Sequence, residues 1–268
     1  MKAIIFAAGL GTRLKPITDT LPKALVPICE KPLIEYVARK LYNHGINEAV
    51  VNIHYFADKM VQWIGQQSWI ATTQEGASDK MLLHISDERR KLLETGGAVL
   101  YARRFLEGCG TFLVHNVDIL SNCDIQWFAS QMKEDALASL LVSERKTSRF
   151  FLFRPEDMRL VGWINKDTGD HYVVSPEIDP SACKLLAFSG IHILSDKVFE
   201  LMQQYLQENN LPIDEESGTP FPIKSFYMWA AAKYPIYGVE ADNLELVDVG
   251  KLGALKLAED FVKSGRCN

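Results

Sequence analysis

Two glycines, a threonine, an arginine and a lysine stand close together near the start of the chain. The order is Gly9-Leu10-Gly11-Thr12-Arg13-Leu14-Lys15-Pro16, and then Leu21-Pro22-Lys23-Ala24-Leu25-Val26-Pro27. Residues of these types bind anions. Glycines let successive backbone N–H groups turn towards one phosphate, and Thr12 adds a hydroxyl donor. Arg13 offers a planar fork that matches two phosphate oxygens. Lys23 is held between Pro22 and Pro27, where backbone freedom is restricted, and can set a compact charge on one phosphate. Lys15 reads as solvated. The pattern is not a dinucleotide fingerprint, because Leu14 takes the third glycine position and Pro16 follows. It is not a Walker loop either, which needs GxxxxGK[ST].

Two acids are the next candidates. Asp118 ends the apolar run Phe112-Leu113-Val114-His115-Asn116-Val117, and Asp248 stands in a short apolar segment before Val249-Gly250. A carboxylate in such a place is either a turn residue that caps a helix or a metal ligand, and the residues alone leave both open. Asp124 and Asp242 compete for the same roles. His54, His115 and His192 are single strand-associated histidines and read as structural. His115 has no spacing partner for zinc. The five cysteines are scattered, odd in number and form no CxxC pair, so the expectation is free thiols in a reducing cytosol.

Regular elements must position these groups. Lys2–Ala7, Glu48–Ile53, Met81–Ile85, Thr111–Val114 and Ala136–Val142 read as strands. Leu33–Asn43, Phe56–Ile64, Thr95–Phe105 and Ile125–Lys133 read as helices between them, with Gly45 closing the first. This alternation predicts an α/β fold, a Rossmann-like three-layer sandwich around a mostly parallel mixed sheet. Ligands in such sheets bind beyond the carboxyl ends of the strands, where the segments after Ala7 and Val114 lie. Phe150–Phe153, Leu160–Ile164 and Tyr172–Val174 read as a small antiparallel excursion between about 145 and 185. Leu185–Leu194 rejoins the core as a strand. Helices at Lys197–Gln207 and Phe221–Ala232, strands at Ile236–Val239 and Leu246–Val249, and a helix at Leu252–Val262 follow. The run Phe226–Ala232 with Trp229 reads as core or a subunit contact. No hexapeptide array follows, which argues against a β-helix acyltransferase domain.

Composition sets the outer bounds. With 268 residues, 47% hydrophobic and 24% charged, the chain can build a large core, and disordered or collagen-like classes are excluded. The net charge of −5 argues against a nucleic-acid binder, so an anionic ligand must be held by a local cluster of donors. The apolar run Ala3–Ala8 is too short for a signal segment or for a membrane span of about 20 residues, and no membrane partner is expected.

The glycine-rich and Pro-Lys-x-Leu-x-Pro segments resemble the signature of the nucleoside-diphosphate-sugar pyrophosphorylases, the sugar-1-phosphate nucleotidyltransferases. Lys31-Pro32-Leu33-Ile34-Glu35-Tyr36 resembles the stretch that opens their first long helix, and Leu93-Glu94-Thr95-Gly96-Gly97 their base-side loop. Phe112 to Asp118 is similar to their metal-aspartate strand, Phe188-Ser189-Gly190-Ile191 to their sugar-site strand, and Val247-Asp248-Val249-Gly250 to their second aspartate. The resemblance runs from Met1 to about Phe261. Val51-Asn52-Ile53-His54, taken with Leu93 to Gly97, is most similar to the branch that transfers uridylyl to N-acetylmuramate-1-phosphate. Guanylyl- or thymidylyltransferases of mannose-, heptose- or glucose-1-phosphate are the first alternative. A non-catalytic regulator that binds nucleotide sugar is the second.

The resemblance implies one domain over 1–268, with a nucleotide-binding half at 1–144 and a sugar-binding half at 145–268. It implies displacement at the α-phosphorus of an NTP by a sugar-1-phosphate oxygen, with pyrophosphate as the product. The nucleophile is already an anion, so catalysis is positioning and charge neutralisation. Lys23 is then expected on the α-phosphate and Arg13 on the β- and γ-phosphates. Gly9, Gly11 and Thr12 cradle the phosphates, and Asn116 joins the nucleotide site. Ala8 and Glu94 read the base through backbone groups, in space cleared by Gly96 and Gly97. Glu88, on an irregular charged loop, is a further candidate for a base edge. Asp118 and Asp248 hold one Mg²⁺, which relieves their repulsion. Ser189 and Gly190 meet the sugar.

Three departures stand out. Phe188 occupies a place where relatives reading N-acetylglucosamine often carry Asn. No Glu-Lys-Pro run supplies a clamp for the sugar phosphate, which leaves Arg149 or Lys146 as candidates against a merely solvated hairpin charge. Val117 replaces a usual Gly, and a β-branched residue disfavours positive φ. The expected setting is the cytosol and cell-wall recycling, with a sugar kinase in the same pathway and a monomer or homodimer as the assembly.

Overall fold

The computed structural model describes residues 1–214 and 216–267. β1 (Lys2–Phe6) starts at the centre of the fold, and its side chains alternate between two cores. Ala3 and Ile5 face one helical layer and Ile4 faces the other. A hairpin of two-residue strands, β2 (Pro27–Ile28) and β3 (Lys31–Pro32), leads into α1 (Leu33–Asn43). Pro32 fixes the entry of α1, and Gly45 closes it at φ +80, a conformation costly for other residues. β4 (Glu48–Ile53), α2 (Ala57–Gly65), β5 (Ile70–Ala71) and β6 (Met81–Asp87) complete one side.

The expected helix over Thr95–Phe105 is two helices, α3 (Glu94–Tyr101) and α4 (Arg103–Leu106). β7 (Thr111–Asn116) returns to the centre. A short strand β8 (Ile119–Ser121), helix α5 (Ile125–Ser130) and β9 (Ala138–Ser143) follow. The antiparallel excursion is β10 (Arg149–Phe153), β11 (Leu160–Asn165) and β12 (His171–Val173). The long β13 (Lys184–Ser195) rejoins the centre. α6 (Val198–Glu208), α7 (Ile223–Ala231), β14 (Ile236–Glu240), β15 (Leu246–Asp248) and α8 (Leu255–Lys263) close the described chain.

The main sheet runs β12-β11-β10-β13-β7-β1-β4-β6-β5, with β9 paired to β13 and β14. Pairs around β1, β4, β6 and β5 are parallel, whereas β13 runs antiparallel to β7 and β9. The fold is therefore α/β with a mixed sheet between two helical layers. Leu33, Val37 and Leu41 of α1, Met60 of α2 and Phe261 of α8 cover one face. Val99 of α3, Phe199 and Met202 of α6 and Phe226 of α7 cover the other. Each such fully buried side chain contributes roughly 1.5–3 kcal/mol of transfer free energy. No helix among the described residues is long and apolar enough to cross a membrane.

β1 lies between β4 and β7, so the chain leaves it once to each side. Such a switch point opens a crevice at the carboxyl ends of the strands. The candidate site is built there.

Candidate active site

Beyond Phe6 the backbone leaves the sheet and borders a cleft of about 270 Å³. Ala8, Gly9, Lys23, Asn52, Glu94, Thr95, Asn116, Val117 and Asp118 line it. A Cβ on Gly9 would meet nothing within 4 Å, so this stretch of backbone is open to a ligand. Gly11 has φ +64, and a Cβ there would fall 2.8 Å from Thr18 and 3.1 Å from the Lys23 side chain. Only glycine allows both the left-handed turn and the close seat of Lys23. The Thr18 hydroxyl donates to the Gly11 carbonyl at 2.8 Å and pins the same turn.

A buried hydrogen-bond chain joins the two walls of the cleft. The Ala7 N–H donates to Asn52 Oδ1 at 2.7 Å, and Asn52 Nδ2 donates to Glu88 Oε1 at 2.8 Å. Glu88 Oε2 accepts from the Leu93 N–H at 3.3 Å. Glu88 is buried, and burial pushes its carboxyl up to about 7 despite the two donors. The His54 Nδ1 lies 2.7 Å from the Glu88 carbonyl. One wall carries Ala8 and Gly9, the other Glu94 and Thr95, and this chain sets their spacing.

The reacting end of the cleft is built from two short strands. β15 pairs antiparallel with β8, which puts Asp248 opposite Ile119, and the Val249 N–H donates to the Asp118 carbonyl at 2.8 Å. Asp118 and Asp248 are thus neighbours although 130 positions separate them in sequence. Lys23 Nζ is ion-paired with Asp118 Oδ2 in a half-closed setting. Arg13 and Asp248 flank Gly250, where a Cβ would fall 2.7 Å from Arg13 Nη2 and 2.6 Å from Asp248 Oδ1. Lys23 with Asp118 lines the cleft beside Gly9, and Arg13 with Asp248 lines the adjoining cavity, the two pairs joined through the backbone contact between Val249 and Asp118. Two carboxylates on adjacent strands are oxygen donors of the kind Mg²⁺ takes, with waters and substrate phosphates filling its other positions. Among the described residues no cluster of three or more His, Cys, Asp or Glu forms a denser metal site.

A second, larger cavity of about 660 Å³ adjoins this end. Arg13 and Asp248 line its near side, and Arg145, Lys146, Arg149, Lys224 and Lys251 line the rest, with Phe151, Trp163, Phe188 and Tyr227 as apolar walls. The Phe188 carbonyl accepts from Arg145 Nη2 at 2.9 Å. A model of the nucleotidyl transferase family matches residues 2–263. The chain belongs to that family.

It is an enzyme, a sugar-1-phosphate nucleotidyltransferase. It is 32% identical to N-acetylmuramate alpha-1-phosphate uridylyltransferase of Caulobacter vibrioides over 201 residues, which is 73% of this chain and 76% of that one. It is 29% identical to the bifunctional protein GlmU of Methanococcus maripaludis over 76% of this chain, and spans only 42% of that longer protein. Among solved structures, UDP-glucose pyrophosphorylase of Acinetobacter baumanii has the same fold. Its TM-score is 0.69 at 18% identity, over 96% of this chain and 91% of that one.

The nucleotidyltransferase brings most of the residues expected from sequence to these two cavities. Ala8, Gly9, Lys23, Glu94, Asn116 and Asp118 line the cleft, and Arg13, Arg149 and Asp248 line the basic cavity. Gly11 and Thr12 lie on the connecting loop outside both linings. Thr12 is exposed at the start of a 3-10 turn. Ser189 is also outside, because its buried hydroxyl donates to the Leu141 carbonyl at 2.7 Å. Gly190, at φ +81, makes room for Asn116, whose Nδ2 would lie 2.8 Å from a Cβ there. Neither side of this pair presents an open approach to a hexose.

Other expectations change. Gly96 and Gly97 do not clear space for a base: a Cβ on either would collide with Phe221 or the Thr219 backbone, so they let α3 pack against the segment before α7. Val117 needs no positive φ. Its backbone N–H donates to the Phe6 carbonyl at 3.1 Å, and its side chain is buried in the core. Glu88 does not reach the cleft but braces it. Asp124 is the N-cap of α5, its Oδ1 accepting from Gln126 and Trp127 N–H at 2.8 and 3.0 Å. His115 and His192 are buried, and burial pushes them down to about 4 and about 3, so both are neutral framework groups. Lys15 is exposed and paired with Asp19. Asn52 stands in a segment that carries the resemblance, which assigns it no role, and Arg145, Lys224 and Lys251 carry no signal in the sequence beyond their charge, so only the fold gathers them.

Proposed function

We propose that the enzyme transfers a uridylyl group from UTP to N-acetylmuramate-1-phosphate, giving the UDP-sugar and pyrophosphate, with Mg²⁺ as cofactor. The observation that carries this reading is that the Lys23–Asp118 ion pair lines the cleft while Arg13 and Asp248 line the cation-rich cavity next to it, the two linked by the Val249–Asp118 backbone hydrogen bond. The relative from Caulobacter vibrioides supports the choice of base and sugar. The nucleotide lies in the cleft with its base between the Ala8–Gly9 and Glu94–Thr95 walls. The triphosphate crosses Gly9, and the acceptor enters from the basic cavity. In this reading 1–144 supplies most of the nucleotide site and 145–268 most of the acceptor site.

The acceptor phosphate oxygen forms a bond to the α-phosphorus, and the bond from that phosphorus to the β-bridging oxygen breaks. The electron pair leaves with pyrophosphate, and no proton need move. Lys23 and Arg13 offset the negative charge that crowds the centre, and their fixed positions lower the reorganisation needed at reaction. Asp118 and Asp248 would hold the Mg²⁺, which supplies positive charge beside the α-phosphate when bound. The buried chain Ala7–Asn52–Glu88–Leu93 keeps the cleft walls at base-width spacing. The reading places the protein in the cytosol, downstream of a sugar kinase.

The test is pyrophosphate release from four NTPs against a panel of sugar-1-phosphates, with and without Mg²⁺. UTP with N-acetylmuramate-1-phosphate is expected to give the highest kcat/KM and to require the metal. A higher kcat/KM with another base or sugar would replace the assigned substrates, and no release from any pair would remove the catalytic reading.

A further inference from the structure

The chain carries a net charge of −5, yet one cavity gathers Arg13, Arg145, Lys146, Arg149, Lys224 and Lys251 against a single lining acid, Asp248. Among the described residues none of the six cations takes part in an ion pair. Like charges gathered around a partly closed cavity repel, and an anion is the ordinary way to relieve that.

The cations fall into two places. Arg13 flanks Gly250 beside Asp248, and Lys251 is the next residue, so these two serve the reacting end where the acceptor phosphate must lie. Arg149 and Lys224 stand at the opposite wall. Arg149 opens β10, on the far side of β13 from β7 and β1, and Lys224 lies in the first turn of α7. Lys224 Nζ sits 3.5 Å from the centroid of the Trp163 ring on β11, which fixes the direction of an otherwise flexible side chain. Burial and the neighbouring Arg149 charge both lower the Lys224 pKa, and Asp170 opposes them more weakly. The two cations therefore face one space in which Asp170 is the acid that acts on Lys224, and neither cation has an acid within ion-pair distance among the described residues. A neutral hexose offers only hydroxyls there.

We propose that Lys224 and Arg149 read a carboxylate on the acceptor sugar and set the enzyme's preference for an acidic sugar-1-phosphate. This rests on the assignment of the basic cavity to the acceptor, and deepens it. In N-acetylmuramate-1-phosphate the carboxylate belongs to the lactyl ether, a part of the molecule remote from the anomeric phosphate. Phe188 and Trp163 then serve as apolar walls for the sugar ring and the lactyl methyl, and Phe188 needs no side-chain amide.

The test compares equilibrium binding of N-acetylmuramate-1-phosphate and N-acetylglucosamine-1-phosphate, which differ by the lactyl ether, to the full chain by calorimetry. A charge-assisted hydrogen bond supports a preference of roughly thirtyfold for the acidic ligand. Lys224→Met and Arg149→Leu are each expected to collapse that ratio to below about threefold, and Lys224→Arg to retain most of it. Thermal melting of each variant shows whether the fold is intact, and Arg149 is exposed enough to replace safely. Equal binding of the two ligands to the wild type, or a ratio untouched in both folded variants, overturns the proposal. Because binding is read without turnover, the outcomes separate. A lost preference in Lys224→Met supports carboxylate reading even if UTP proves the wrong nucleotide. Turnover of UTP with N-acetylmuramate-1-phosphate and no dependence on Lys224 or Arg149 leaves the reaction standing and removes this inference.

Discussion

Lys23 and Asp118 form an ion pair across 95 positions of sequence, with the ammonium seated on Oδ2 of the carboxylate. Each side chain is mostly covered, at 12% and 17% exposure. Without substrate the lysine is therefore held at the reacting end by the acid proposed for the metal. Lys23→Ala is expected to lower turnover by roughly 10²–10³-fold, the scale seen when one fixed donor to a developing charge is removed. Stability should fall by about 1–3 kcal/mol, between the exposed and the fully buried cases, because Asp118 is left uncompensated. Pyrophosphate release and urea denaturation measure the two effects. Near-normal turnover in a folded variant would remove Lys23 from the assigned role.

Gly250 is the contact point of Arg13 and Asp248, and its Cβ would lie within 2.7 Å of an atom of each. Its φ is not in the left-handed region, so alanine introduces no backbone strain. Gly250→Ala must push the guanidinium and the carboxylate away from their shared position. A loss of about tenfold or more in kcat is expected, since displacements near 1 Å cost up to about 10²-fold. The stability change should stay below about 1 kcal/mol, because the displaced atoms are the ends of side chains. Unchanged kcat would show that the Arg13–Asp248 spacing is irrelevant to the reaction.

Asp118 and Asp124 lie six positions apart and look alike in sequence, yet the structure gives them different work. Asp124 caps α5 through two backbone N–H groups, whereas Asp118 faces the cleft. Asp124→Ala should cost about 1 kcal/mol of stability and leave kcat at its wild-type value. Asp118→Asn should keep the shape of the site, abolish most turnover and raise the Mg²⁺ concentration needed for half-maximal rate. Parallel melting curves and Mg²⁺ titrations check this contrast. A catalytic defect in Asp124→Ala without one in Asp118→Asn would reverse the assignment.

These contrasts show what can be read from sequence and what cannot. The loop from Gly9 to Lys23 is legible because its chemistry is local: glycine, Arg13 and a proline-bracketed lysine specify an anion site wherever they lie. The α/β alternation is legible for the same reason, since the period of Leu33, Val37 and Leu41 differs from that of β1 and β4. β8 and β15 have three residues each, too few to show a period, so the residues alone do not reveal the pairing that brings Asp118 near Asp248, and only the family resemblance places the two together. Gly96 and Gly97 announce a close approach but not its partner, which is Phe221 and the Thr219 backbone and not a base. Lys224 reads as one more helix-surface lysine. Its meaning depends on Trp163 and Arg149, which come from other strands.

Glu88 gives a prediction whose sign is fixed by its environment. Burial raises its carboxyl from 4.5 to about 7 while Asn52 and the Leu93 N–H pull the other way. Below pH 4.5 both folded and unfolded chains carry the proton. Between 4.5 and 7 the unfolded chain releases it and the folded chain does not, so this group's stabilisation is lost as pH rises through the folded value. His115 and His192 act in the opposite sense, because their folded values lie below 6.5 and stability from them is lost as pH falls towards about 4 and about 3. Glu88→Gln isolates the first effect: the histidines and any fixed cost of the new amide are the same at every pH in the difference between wild type and variant. That difference should shift against the wild type by on the order of 3 kcal/mol from pH 4.5 to 8. Urea denaturation across that range measures it. Parallel stability profiles would mean that Glu88 keeps its proton no more tightly in the folded chain than in the unfolded one, and that the brace between the cleft walls is ionised at neutral pH.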